Sequence, residues 1–99
     1  MTPQGPYNVA FSSRWADEVR WQYRSAQRVG YGTQFISALE TIAQRVMNDP
    51  LTFGEPAFTA TLGLEVRRAM IAPVAVEFGV AEATKTVLMR RVIFLRPSG

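Results

Sequence analysis

Neither cysteine nor histidine occurs in these 99 residues. Without cysteine there is no disulfide staple and no thiolate chemistry. Without histidine, imidazole cannot serve as base, acid or metal ligand. Ser-His-Asp and Cys-His catalysis and most zinc sites are thereby excluded, and no metal and no cofactor are expected. The absence of cysteine fits the cytoplasm, the expected location, although disulfide-free secreted proteins exist. No apolar run reaches the ~18 residues that span a bilayer, so no membrane partner is expected. Met1-Thr2-Pro3-Gln4-Gly5-Pro6 lacks a basic flank followed by an apolar stretch. Its Pro and Gly predict a loose, flexible arm over residues 1–6 rather than a signal peptide.

What is present is a globular composition. The apolar fraction is 47%, and this length makes one domain, expected over residues 7–97. A chain of this size buries somewhat over ~60% of its unfolded surface, enough for one core. The net charge of +3 is unevenly placed. Acids and bases balance over residues 1–56, whereas residues 57–99 hold Arg67, Arg68, Lys85, Arg90, Arg91 and Arg96 against Glu65, Glu77 and Glu82. Such an excess permits an anionic partner without demanding one. All the bases but Lys85 are Arg. Arg suits planar, bidentate pairing; a GC-rich coding sequence produces the same bias.

Tyr7, Val9 and Phe11 alternate, which predicts a short strand with one buried face. Ser12-Ser13 then offers an N-cap, and Asp17 and Glu18 sit near the first turn. A first helix is expected over residues 14–29, stopped by Gly30. Trp15, Val19, Gln22, Tyr23 and Ala26 gather on one side of it and Asp17, Arg24 and Arg28 on the other. Thr33 reads as the N-cap of a second helix, whose Phe35, Leu39, Ile42 and Val46 form the cleanest helical stripe in the chain. Ile36, Ala38, Ala43 and Met47 widen it, and Asn48-Asp49-Pro50 ends it. A short link makes the two helices antiparallel. Residues 49–63 read as a loop, with a strand at residues 59–61 left open. After Gly63 the pattern is β: residues 64–71, a break at Ala72-Pro73, then Val74, Val76, Phe78 and Val80 on one side of a strand. A small, polar turn leads into a long last strand over residues 85–95, in which Val87 and Met89 share one face and Leu88, Val92 and Phe94 the other. That switch predicts a bulge or two-sided burial near Arg90-Arg91. The expected fold is α+β in the order β-α-α-β-β-β, an antiparallel helix hairpin packed on a twisted, mainly antiparallel sheet.

This order resembles the RelE/ParE superfamily of small bacterial toxins. So do Tyr7-Asn8-Val9-Ala10-Phe11-Ser12 before a helix, Asn48-Asp49-Pro50 at a helix end, Gly54-Glu55-Pro56, and Leu62-Gly63-Leu64-Glu65-Val66-Arg67-Arg68 leading into a strand pair broken at Ala72-Pro73. The similarity spans residues 7–97. It implies a toxin of a type II toxin–antitoxin (plasmid stabilisation) system, neutralised by a small cognate antitoxin. The target would be DNA gyrase in the ParE-like branch, or the ribosome and its messenger RNA in the nucleolytic RelE-like branch; some members keep the fold without toxicity. The nucleolytic branch uses Lys and Arg on the central strands with a late aromatic or His. Here Arg67 and Arg68 match the basic strand and Arg96 a late Arg. Tyr7, Tyr23 and Tyr31, however, all lie in the first third of the chain, and residues 74–78 offer Glu77 in place of Arg. A ParE-like or non-nucleolytic member is therefore favoured, with no catalytic residue assigned.

Two residue sets stand out as candidate contacts. Trp21 falls on the polar side of the first helix with Arg24 and Arg28, which resembles a partner-binding hot spot; local stacking on Arg24 explains the same pattern. Neighbours in a strand point to opposite faces, so Arg67 and Arg68 cannot share a ligand, nor can Arg90 and Arg91 in regular β. Arg67, Arg91 and Arg96 are the expected exposed strip for an anionic ligand or target. Cross-strand salt bridges to Glu65, Glu77 or Glu82 are the structural alternative. Phe53, Phe58 and Met70 read as packing residues.

Overall fold

The structure, a computed structural model, describes residues 6–60 and 63–97; most of the expected N-terminal arm lies outside them. Its elements are β1 (Asn8–Ala10), α1 (Ser13–Arg28), α2 (Gly32–Asn48), β2 (Glu55–Ala60), β3 (Leu64–Ile71), β4 (Val74–Ala81) and β5 (Thr86–Phe94). The sheet order is β1-β5-β4-β3-β2, with β1 parallel to β5 and the other pairs antiparallel. The α+β plan is the expected one with an added edge strand, β2. Glu55-Pro56-Ala57-Phe58-Thr59-Ala60 shows no alternation because almost nothing in it is buried. Its Pro56 is tolerated because a proline needs no ladder partner at a sheet edge.

Local chemistry sets the helix ends. The Ser12 hydroxyl accepts the Trp15 N–H at 3.1 Å, which caps α1. Gly30, with φ 83°, turns the chain out of the helix, and the Tyr31 N–H closes back on the Ala26 carbonyl at 2.8 Å. The reversal is so tight that α2 begins at Gly32 with Tyr31 at its cap and no side-chain cap bond. Thr33, the expected cap, is already inside the first turn.

One face of the sheet carries the core. Trp15 and Ala26 of α1 and Phe35, Ala38, Ile42 and Val46 of α2 meet Val74, Val76, Phe78 and Val80 of β4 and Val87, Met89, Val92 and Phe94 of β5. Each large apolar side chain so buried contributes roughly 1.5–3 kcal/mol. Phe35 packs edge-on against Phe94 at 6.3 Å between ring centres, and Phe53 stacks on Phe78 at 5.9 Å. Phe53 is thus a packing residue as expected, but Phe58 (47% exposed) and Met70 (60%) are not; both lie on the side of the sheet away from the helices. The expected buried face of β1 is also absent. Val9 is 36% and Phe11 60% exposed, because β1 touches the sheet only through Thr86–Leu88 of β5 and no strand lies outside it among the described residues. Beyond Leu88 the free edge of β5 is met by α1, whose Gln22 side-chain carbonyl accepts the Phe94 N–H at 2.8 Å. That bond occupies an edge group that would otherwise invite strand pairing.

Two predictions follow from the backbone. Gly54 and Gly30 both have positive φ, but a Cβ on Gly54 would lie 2.2 Å from the Arg68 carbonyl oxygen whereas one on Gly30 meets nothing within 4 Å. Denaturant melts should show Gly54→Ala losing about 3 kcal/mol and Gly30→Ala about 1 kcal/mol. The second concerns β1, tied down by the Tyr7 hydroxyl donating to Glu82 at 2.5 Å and by Lys85 Nζ on the same carboxylate at 2.8 Å. Lys85 first and Tyr7 second hold the Glu82 carboxyl below its ordinary value of 4.5. Glu82 in turn holds Lys85 above 10.5 and Tyr7 above 10.0. The carboxylate's contribution is present above its unfolded value and lost as pH falls through the lowered one. The other two contribute below their unfolded values and lose this as pH rises through the raised ones. Amide exchange at Asn8, whose N–H donates to the Lys85 carbonyl at 2.8 Å, corrected for its intrinsic pH dependence, should be slowest between about pH 5 and 9.5. In Tyr7→Phe the plateau should be lower; an unchanged profile would refute the tie.

Candidate functional site

The side of the sheet away from the helices is covered by no element among the described residues. Directly paired residues share a face, so the register orders this open face into three rows. Met70, Ala75 and Ile93 form the first. The second crosses four strands as Glu55, Arg68, Glu77 and Arg91. In the third, Val66 and Leu88 flank Gly79, with Phe58 beside Val66. Leu64 lies across Gly79, where an added Cβ would come within 2.7 Å of it.

The middle row is ionic, with Glu77 at its centre on the middle strand. Its side chain is 11% exposed and lies between Arg68 Nε at 3.3 Å and Arg90 Nε at 3.6 Å. Each arginine approaches the carboxylate through its Nε. Arg90 reaches this face because of a bulge: Glu77 pairs with Arg91 and Phe78 with Met89, so Arg90 has no partner opposite it. The switch expected near Arg90-Arg91 is thus a bulge. It also corrects the face expected for Leu88, which lies opposite Gly79 on the open side while Val92 and Phe94 turn inward. Two cavities, of about 490 and 600 Å³, adjoin over Glu77, Arg91 and Ile93. The first lies towards Gly54 and Glu55; the second runs to Ser12 and Arg14 at the start of α1.

The expected strip of Arg67, Arg91 and Arg96 is not assembled. Arg91 is exposed in the trough that these two cavities form, and Arg96 is exposed past the end of β5. Arg67 is buried at 6% exposure on the helix side of β3. It donates from Nε to the Phe53 carbonyl at 3.0 Å, from Nη2 to the Gly54 carbonyl at 2.9 Å and from Nη1 to Glu65 at 2.5 Å. An arginine can lie buried here because a carboxylate and two carbonyls meet its planar fork. Arg68 takes the exposed position instead. Trp21, 59% exposed, stands on the outer face of α1 with Arg24 and Arg28, also exposed. A groove of about 380 Å³, which no sequence pattern indicated, opens between Val9 and Phe11, Trp15 and Val19 of α1, and Leu39 and Ala43 of α2. No group of three His, Cys, Asp or Glu among the described residues could hold a metal, and no helix of these residues is long and apolar enough to cross a membrane.

The Arg67 clamp gives a clean contrast. Arg67→Met leaves two carbonyls and Glu65 without their donor and should cost about 2–4 kcal/mol in a denaturant melt. Arg91→Ala, with nothing packed on it, should stay within about 0.5 kcal/mol.

No family model matches this sequence, and no curated protein matches it. Among solved structures, it is similar to a chain of the toxin–antitoxin complex RelBE2 from Mycobacterium tuberculosis. The TM-score is 0.58 and the identity 17%, over 95% of this chain and 97% of that one. A hairpin of two helices laid across one face of a five-stranded mixed sheet, matched end to end, is the RelE-like fold, and this chain has it.

Proposed function

We propose that this chain is the toxin of a type II toxin–antitoxin system, of the ParE-like or non-nucleolytic kind, acting in the cytoplasm and neutralised by a small antitoxin. The shared fold supports the toxin reading. The choice of branch is carried by Glu77. Cleavage of RNA by 2′-hydroxyl attack needs a proton acceptor and a donor beside the phosphate. Glu77 is the carboxylate at the centre of the trough, and both of its oxygens are engaged by arginines. Neither oxygen is free to approach a 2′-hydroxyl, and the carboxylate charge repels a phosphate. The tyrosines lie elsewhere: Tyr7 is bound to Glu82, Tyr23 packs beside Phe35 and Tyr31 beside Phe94. On this reading Arg68, Arg90 and Arg91 recognise a target rather than cut one. Trp21, Arg24 and Arg28 are proposed as a partner contact on the helix hairpin.

Induced expression should arrest growth, and co-expression of a small protein encoded beside this gene should relieve it. Transcripts should remain intact, whereas supercoiling by purified gyrase should fall for a ParE-like member. Ribosome-dependent transcript cleavage would overturn the choice of branch, and normal growth would favour a non-toxic interaction module. With the antitoxin in hand, Trp21→Ala should weaken the complex roughly thirtyfold, the ~2 kcal/mol of an aromatic anchor. Its melting curve should be unchanged. Equal affinity would remove Trp21 from the interface.

A further inference from the structure

We infer that the open face of the sheet is a docking surface for a peptide segment of a protein partner, one that sets a carboxylate about 7 Å from an aliphatic side chain. The inference rests on the reading above that this face recognises a protein rather than cuts RNA. The charges of the middle row alternate in sign, Glu55, Arg68, Glu77, Arg91, from one strand to the next. A single nucleic-acid strand carries one negative charge at every nucleotide, and surfaces that bind it combine a continuous basic groove with stacked aromatic rings. Here two carboxylates interrupt the arginines, and the rows on either side carry no cation among the described residues.

Those flanking rows are apolar and largely open to solvent: Met70 is 60%, Phe58 47%, Ile93 43% and Leu88 38% exposed, while Val66 is buried beside Phe58. Clustered exposed apolar side chains beside charge mark protein contacts. Ala75 sits low between Met70 and Ile93, and this small residue leaves a pit in the 490 Å³ cavity. Two residues of strand, roughly 7 Å, separate that pit from the ionic row. A partner with an aliphatic side chain in the pit can therefore place a carboxylate on Arg91. That arginine is opposite Glu77 in register and makes no ion pair of its own among the described residues. Glu77 backs the row by holding Arg68 and Arg90 at their Nε atoms. The spacing matches residues i and i+2 of an extended peptide or i and i+4 of a helix, both established modes of peptide recognition.

The test is a random-peptide display selection on the immobilised full-length chain, with enriched peptides then synthesised and titrated into the labelled protein by NMR. Enriched sequences should pair Asp or Glu with Leu, Ile, Val or Met two or four positions away. They should shift the amides of Met70, Glu77, Arg91 and Ile93. Affinity should fall at least roughly fivefold in Arg91→Glu and in Met70→Lys, two exposed positions whose variants should melt like the parent. Peptides without an acid, or peptides bound equally by both variants, would overturn the inference, as would a selection that enriches nothing. In each of those cases the toxin reading, judged by growth arrest, still stands. A uridine octamer that shifts the same amides more tightly than any peptide would overturn the inference and the non-nucleolytic reading together.

Discussion

Between Met89 and Arg91 the last strand carries one residue more than β4 opposite it. A one-residue change of register in a strand moves every later side chain to the other face. The bulge at Arg90 spends that change at the middle of β5. As a result Val87 and Met89 before it, and Val92 and Phe94 after it, all meet the helix hairpin. Without the bulge either the first pair or the second would face solvent, and the edge-on contact of Phe35 with Phe94 would be lost. The same event sets two adjacent arginines beside Glu77 on the open face. Core and candidate site are thus two consequences of one irregularity in hydrogen bonding.

The helix hairpin was legible because its period is strong: Phe35, Ile42 and Val46 are buried, and a serine cap and a glycine stop bracket α1. β4 was legible for the same reason, its alternate residues all reaching the core. The edges were not. β1 shows the alternation of a buried strand, yet Val9 and Phe11, on the helix side with Val87, stay partly exposed, because a pattern gives the face of a strand but not whether anything covers it. β2 has no pattern to read, since a fully exposed edge strand need not alternate. Which arginine of the pair Arg67-Arg68 lay buried was likewise out of reach. Alternation placed them on opposite faces, but choosing between them required knowing where the Phe53 and Gly54 carbonyls come to rest. Those acceptors lie well back along the chain, in a segment with no periodicity.

Arg67 thereby changes meaning. The basic pair that carries part of the family resemblance divides its labour. Arg67 pins the segment between α2 and β2, and Arg45 covers the Phe53 ring at 4.7 Å from the other side. Arg68 enters the ionic row with Glu77. A likeness at 17% identity shows the backbone plan alone. Function resides in the side chains set upon a fold, and the same fold hosts different ones.

The distribution of charge limits what the open face can do at a distance. Arg20 is paired with Asp17, Arg67 with Glu65, Lys85 with Glu82, and Arg68 and Arg90 share Glu77. The arginines without an ion pair among the described residues, Arg14, Arg24, Arg28, Arg45, Arg91 and Arg96, are spread over α1, α2, the trough and the end of β5. Steering of a polyanion over distances beyond about 8–10 Å requires a concentrated field of one sign. A net charge of +3 scattered in this way does not make one. Recognition on this face must then be short-ranged, through apolar contact in the pit beside Ala75 and one well-placed ion pair. That combination selects a folded or folding polypeptide over a phosphate chain, and it predicts an affinity that changes little with salt.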